Sequence, residues 1–252
     1  MENILKFSGW LLENVERDDF YKKELNTSFW SADGKFDQSI REKLLKIADD
    51  FYKALKINAP IKDIHLTGSL ANYNWTNKSD LDVHILIDFN DIDENVDLVK
   101  KALDGQRFIW NTRHKIVIRN HDVELYIQDF QEPHIASGLF SLLNNEWIKT
   151  PSYNPPSIDY RDVDKKFEGL VNDIQQIESL LNLSDFSTTT EQDLYHHTLS
   201  IKDKILKMRR EGLARDGEFA IENLTFKKLR NEGYIEKIID LISKAYTKIY
   251  NE

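Results

Sequence analysis

The strongest periodicity in the chain runs from residue 36 to 56. Ile40, Leu44, Leu45, Ile47, Ala48, Phe51 and Leu55 recur there at helical spacing and predict an amphipathic helix with one buried stripe. A shorter stripe of Ile4, Leu5, Phe7, Trp10, Leu11 and Leu12 predicts a terminal helix over 3–13 that docks on the body. Pro60 stops the first pattern, and IKDIHLTG then reads as a short strand ending at Gly68, where a helix begins. DLDVHILIDF alternates and then runs apolar, as a central strand does. Asp91–Leu103 predicts a helix closed by Gly105. RFIW, HKIVIRN and DVELYIQDF follow as strands, with a turn at Asn120–Asp122. This order of elements predicts an α+β domain, a mixed sheet flanked by helices.

Residues 150–158 (TPSYNPPSI) hold three of the five prolines and predict a linker. Beyond it, Val163–Leu183, Glu191–Leu213 and Tyr234–Tyr250 carry helical periodicity, which predicts a C-terminal bundle of three or four helices. The expected organisation is an N-terminal helix and arm over 1–35, the α+β domain over 36–150 and the helical domain over 159–252.

Charge narrows the partners. The 252 residues carry 34 Lys and Arg against 43 Asp and Glu, a formal net charge of −9. Such a surface disfavours broad binding to a nucleic-acid backbone, so a nucleotide needs a metal or a focused basic cluster. Cysteine is absent, which removes disulfides, thiol nucleophiles and thiolate zinc sites and fits a reducing compartment. No apolar run approaches the ~20 residues that span a bilayer, and the first residues are too polar for a secretory signal. The expectation is an intracellular protein without membrane partners.

The segment from Leu66 to Asp88, LTGSLANYNWTNKSDLDVHILID, carries the candidate chemistry. At a strand end, Gly68 lets a phosphate approach the backbone, and the following amides and the Ser69 hydroxyl can donate to it. Asp80 and Asp82 are two apart, so on a strand both carboxylates face one side while Leu81 and Val83 face the core. Two aligned carboxylates repel each other, and a hard divalent cation relieves that cost. Glu124 is a charge inside the apolar run DVELYI, and a neighbouring strand would set it beside Asp80 and Asp82. An Asp cap at a solvated strand start and an exposed edge glutamate are the plainer readings of these residues.

Gly68-Ser69, a spacer, Asp80-Leu81-Asp82 between apolar residues and a later Val123-Glu124-Leu125, in that order, resemble the DNA polymerase β-like nucleotidyltransferases over roughly residues 60–130. The resemblance implies a polymerase β-like core and transfer of a nucleoside monophosphate from NTP to a hydroxyl. It also implies two magnesium ions, with manganese able to substitute, held by Asp80, Asp82 and Glu124. ATP is the default NTP, bound across Gly68 and Ser69. The third carboxylate is Glu where the family more often has Asp. The alternative is a catalytically degenerate module that binds nucleotide or protein.

TGSLANYNWTNKSDLDVHI, PHIASGLFSLLNNEWI and GEFAIENLTFKKLRNEGYI are similar to uncharacterised nucleotidyltransferases of large tailed phages. LKFSGWLLE resembles the leader peptides that direct phage proteins into capsids, with Leu11-Leu12-Glu13 as the cut. That resemblance implies a host cytoplasmic protein that a virion can package.

His84 shares a face with Asp82 and reads either as a nucleotide contact or as a hydrogen-bonded structural residue. An aromatic at Tyr73 or Trp75 could stack on a base, but interdomain packing is the better reading of these two. Lys202, Lys204, Lys207, Arg209, Arg210 and Arg215 form the densest basic run; a solvated face is its default reading. Lys202, Lys207 and Arg209 are also candidates for contacting triphosphate. His196-His197 has poor metal spacing on a helix and reads as surface. A small molecule or protein is a better acceptor than long nucleic acid for so acidic a chain.

Overall fold

The computed structural model describes residues 21–134, 136–153, 158–182 and 188–250. The helix expected over 3–13 and Leu11-Leu12-Glu13 lie outside them. The chain divides into two compact units, 1–155 and 156–252, at Pro155–Pro156.

In the first unit, α1 (Gln38–Leu55) starts where the Asp37 carboxylate accepts the Ser39 and Ile40 amides at 2.9 and 3.1 Å. It ends at Lys56 in the left-handed conformation, ahead of Pro60. Six strands follow: β1 (Asp63–Thr67), β2 (Leu81–Ile87), β3 (Val117–Ile118), β4 (His121–Asp129), β5 (Leu139–Ser141) and β6 (Glu146–Lys149). They form one sheet in the order β3-β4-β2-β1-β5-β6. Only β2 and β4 run parallel, so the sheet is mixed. A parallel pair needs a crossover, and α2 (Val96–Arg113) supplies it.

Three expectations are corrected here. The helix does not close at Gly105: nothing crowds that exposed position, and α2 runs on to Arg113, so RFIW is helical. Trp110 turns its ring toward Phe51 of α1, 5.3 Å between centroids, which makes the apolar run a helix face. HKIVIRN contributes only the two residues of β3, and the turn is set by Arg119 and Asn120, both at positive φ.

One face of the sheet is dry. Ile64 and Leu66 of β1, Val83 and Ile85 of β2 and Leu125 of β4 join Ile40, Leu44, Ala48 and Phe51 of α1 and Val99 and Leu103 of α2 in one core. At ~25 cal/mol per Å² of buried apolar surface, this burial is the main term holding the unit together. Residues 21–35 belong to that core as well. Phe29 and Trp30 are buried, and Trp30 stacks on Trp147 of β6 at 4.4 Å.

The second unit consists of α3 (Tyr160–Leu181), α4 (Thr188–Asp216), α5 (Ile221–Asn231) and α6 (Tyr234–Tyr250). Phe167, Leu170, Ile174 and Ile177 of α3 meet Ile201 and Ile205 of α4, Phe226 and Leu229 of α5, and Ile238 and Leu241 of α6. Gly212 lets α4 approach α5 closely: a Cβ there would lie 2.7 Å from Glu222 Cβ. Between them Glu222 takes Lys166 and Arg215, each at 2.9 Å. No described helix is long and apolar enough to cross a membrane.

Candidate active site

Strand register sorts the polar residues of β1, β2 and β4 onto the other face. Thr67 lies opposite Asp82 and Asp82 opposite Glu124, giving one cross-strand row. His65, His84 and Tyr126 form the next row in the same way. Between these residues Leu81 and Val83 are buried while Asp82 and His84 are half-buried, as the alternation demands. Asp82 and Glu124 are therefore brought side by side across a parallel pair.

Gly68 closes the row from the β1 side. Its φ of 75° and ψ of −161° belong to a region open essentially to glycine alone. A Cβ at this position would fall on the Asp82 carboxylate, so the missing side chain is what lets backbone and carboxylate meet. The helix expected after it is a single 3-10 turn, Ser69–Ala71. Leu70 and Ala71 are fully buried and anchor that turn, and the Trp30 indole N–H donates to Leu70 O at 2.8 Å. From the other side Gly138 lies against Ala71 O, where any Cβ would collide. The Ser69 hydroxyl donates to Ser79 Oγ at 2.9 Å, so it serves the loop before it can serve a phosphate.

Asp80 precedes β2 rather than lying in it, and is half-buried. The loop that delivers it is pinned on both sides. Ser79 O meets His121 Nδ1 at 2.6 Å, and Ser79 Oγ accepts the Thr76 amide at 2.9 Å. Among the described residues no three His, Asp or Glu side chains are gathered into a ready metal cage. Asp82 and Glu124 are nonetheless adjacent hard oxygen donors with glycine backbone against one of them. This donor set fits a divalent cation that takes its remaining oxygens from phosphate and water.

The second row is more aromatic than the sequence reading allowed. Tyr126 donates its hydroxyl to Glu124 Oε2. Its ring stacks on His84 at 4.7 Å, and the Arg107 guanidinium of α2 lies 4.6 Å above it. Burial, then the charges of Asp82 and Glu124, push the Tyr126 phenol well above its ordinary range, against the pull of Arg107. Burial takes His84 down to about 4, with His134, His65 and Arg107 acting the same way and the Gln128 hydrogen bond at 2.7 Å opposing. His84 is thus a neutral, hydrogen-bonded ring. His65 bridges Asp63 and His134, at 3.1 Å to each.

Tyr73 and Trp75 pack within the first unit. Tyr73 meets Tyr21 and Tyr153, and the Trp75 indole N–H donates to Glu24 O at 2.9 Å. Lys202, Lys207 and Arg209 belong to α4 in the second unit. Lys207 lies 3.8 Å from Glu211. Arg209 covers the Phe226 ring at 4.2 Å, with Nε 3.3 Å from Asn223 Oδ1. His196 and His197 are exposed on the same helix.

Sequence reasoning missed Tyr126, although the two-residue period that groups Asp80 with Asp82 also groups Glu124 with Tyr126. It missed Trp30 for want of any local signal: the residue acts across 40 positions. Comparison with known proteins sets nothing beside this arrangement, since no family model, no curated protein and no solved structure matches the chain.

Proposed function

We propose that the first unit is a nucleotidyltransferase of the polymerase β-like kind. It moves a nucleoside monophosphate from an NTP to a hydroxyl and releases pyrophosphate. The observation that carries this reading is the Asp82–Glu124 pair on neighbouring parallel strands with Gly68 backbone set against Asp82. The turn after Gly68 offers amides to the phosphates, with ATP as the first NTP to try. Asp80, Asp82 and Glu124 would hold magnesium or manganese, which supplies countercharge to the phosphates and to the leaving oxygen. The acceptor oxygen attacks the α-phosphorus, its proton passes to a carboxylate, and the bond to the bridging oxygen breaks. Net charge −9 favours a small or protein acceptor over long nucleic acid. A cytoplasm suits these substrates.

One observation favours a binding module instead: Glu124 Oε2 is already engaged by Tyr126. Incubation with each α-labelled NTP and magnesium, with and without host extract, separates the two. Labelled product that disappears in Asp82→Asn supports the enzyme. NTP binding with no transfer to anything supports the module.

A further inference from the structure

The hydroxyl beside Glu124 is the protein's own. Tyr126 lies two residues beyond Glu124 on β4, so both side chains rise from one face of the sheet. Its hydroxyl donates to Glu124 Oε2, where a carboxylate that accepts an attacking group's proton receives its hydrogen bond. Two contacts and the strand pairing beneath hold the ring there. His84 stacks on it at 4.7 Å, Arg107 lies over it at 4.6 Å, and β4 is fixed to β2 by the register His84–Tyr126. Arg107, whose Nε lies 3.7 Å from Asp104, adds a cation beside the ring. Strand order sets Gly68 on one side of Asp82 and Glu124 with Tyr126 on the other. A nucleotide cradled at Gly68 would thus reach across Asp82 toward the phenol. Correct placement of two reacting groups is itself worth several powers of ten in rate.

We propose that Tyr126 is a nucleotidylation site of this protein, an acceptor built into its own active site. The inference rests on the nucleotidyl-transfer reading above. In the step, the Tyr126 oxygen forms a bond to the α-phosphorus and its proton passes to Glu124. The bond from that phosphorus to the bridging oxygen breaks, and its electron pair leaves with pyrophosphate. The product is a tyrosyl phosphodiester. The modified phenol no longer has a proton to donate to Glu124, so the reaction limits itself and removes the first acceptor from the site.

The full chain is incubated with each α-labelled NTP and magnesium, and its intact mass and tyrosine-containing peptides are measured. The same masses are taken on protein as purified, before any nucleotide is added. The expected result is a single NMP adduct on Tyr126, absent from Tyr126→Phe and from Asp82→Asn. Thermal melting confirms that both variants are folded, and NTP binding is measured on Tyr126→Phe, which keeps every expected metal ligand. Label that reaches an added acceptor or another residue while Tyr126 stays unmodified overturns the inference and leaves the enzyme standing. An adduct that persists in Asp82→Asn overturns it too, since the site would not be its source. NTP bound with no transfer to anything removes both readings.

Discussion

Glycine 68 is where backbone conformation and chemistry depend on each other most directly. Its positive φ costs a larger residue about 1–3 kcal/mol, and the Asp82 carboxylate occupies the space a Cβ would need. Gly68→Ala should therefore displace Asp82 and reduce transfer by about 100-fold or more, the usual effect of a misplacement near 1 Å. Steady-state kinetics beside a melting curve would show whether activity falls much further than stability. A second single-residue effect belongs to Asp63. Burial opposes its ionisation, but His65, the Ser141 hydroxyl at 2.8 Å and the Ile64 amide at 2.7 Å outweigh it and hold its carboxyl below the ordinary value. The folded state then binds fewer protons than the unfolded one as acid is added, so this stabilisation is intact above about pH 4 and lost as pH falls below it. Urea midpoints followed from neutral pH to about pH 3 should fall more steeply in the native protein than in Asp63→Asn. Parallel slopes would show that the buried carboxylate contributes nothing. Of the two, the sequence singled out Gly68 alone. Gly68 stood out as a glycine ending a strand, but its collision with Asp82 depends on a strand pairing that no local pattern encodes.

Among the elements, β2 and β4 could be read because a strand with one dry face writes its period into the sequence. Leu81, Val83, Val123 and Leu125 alternate with Asp82 and Glu124, and the structure uses that alternation directly. Helix α2 was misread because Gly105 looked like a stop and RFIW like a strand. An exposed helix interior tolerates glycine at about 1 kcal/mol, and the packing of Trp110 decides the rest. Strands β5 and β6 have three and four residues, too short to show any period. Beyond the short pairing with β3, β4 borders helix rather than strand, and Asn111 of α2 takes the place of a neighbour. It accepts the Leu125 amide at 3.2 Å and donates to the Leu125 carbonyl at 3.1 Å. Asn111→Ala leaves both groups of a buried residue without these partners, at about 1–3 kcal/mol, and opens strand edge next to Glu124. Chemical denaturation should register the loss, and light scattering should register edge-to-edge association.

At the scale of the molecule, two hydrophobic cores are closed separately, one around the sheet and one among α3 to α6. Truncating Ile174, fully buried in the second core, should cost about 2–5 kcal/mol there. Hydrogen exchange on Ile174→Ala should rise across α3 to α6 while β2 and β4 keep their protection. A uniform rise along the whole chain would mean the two cores unfold as one. The division at 155/156 falls within the proline-rich stretch 150–158, whereas the place of residues 21–35 in the first core was invisible. Phe29 and Trp30 sit among polar neighbours, and beside the nearby Phe36 it takes partners as distant as Phe140 and Trp147 to enclose Trp30.

The long reach of that arm also bears on when the site can form. Trp30 holds the turn after Gly68 while stacking on Trp147, and the Trp147 indole in turn donates to Gly34 O, 113 positions away. Contacts of such separation close late, because the entropy of the intervening loop must be overcome before they form. During synthesis the nucleotide turn therefore has its indole pin fully buttressed only after β6 has left the ribosome. A nascent chain that carries Gly68, Asp82 and Glu124 but ends short of Trp147 would hold all the expected carboxylates and still lack the finished turn.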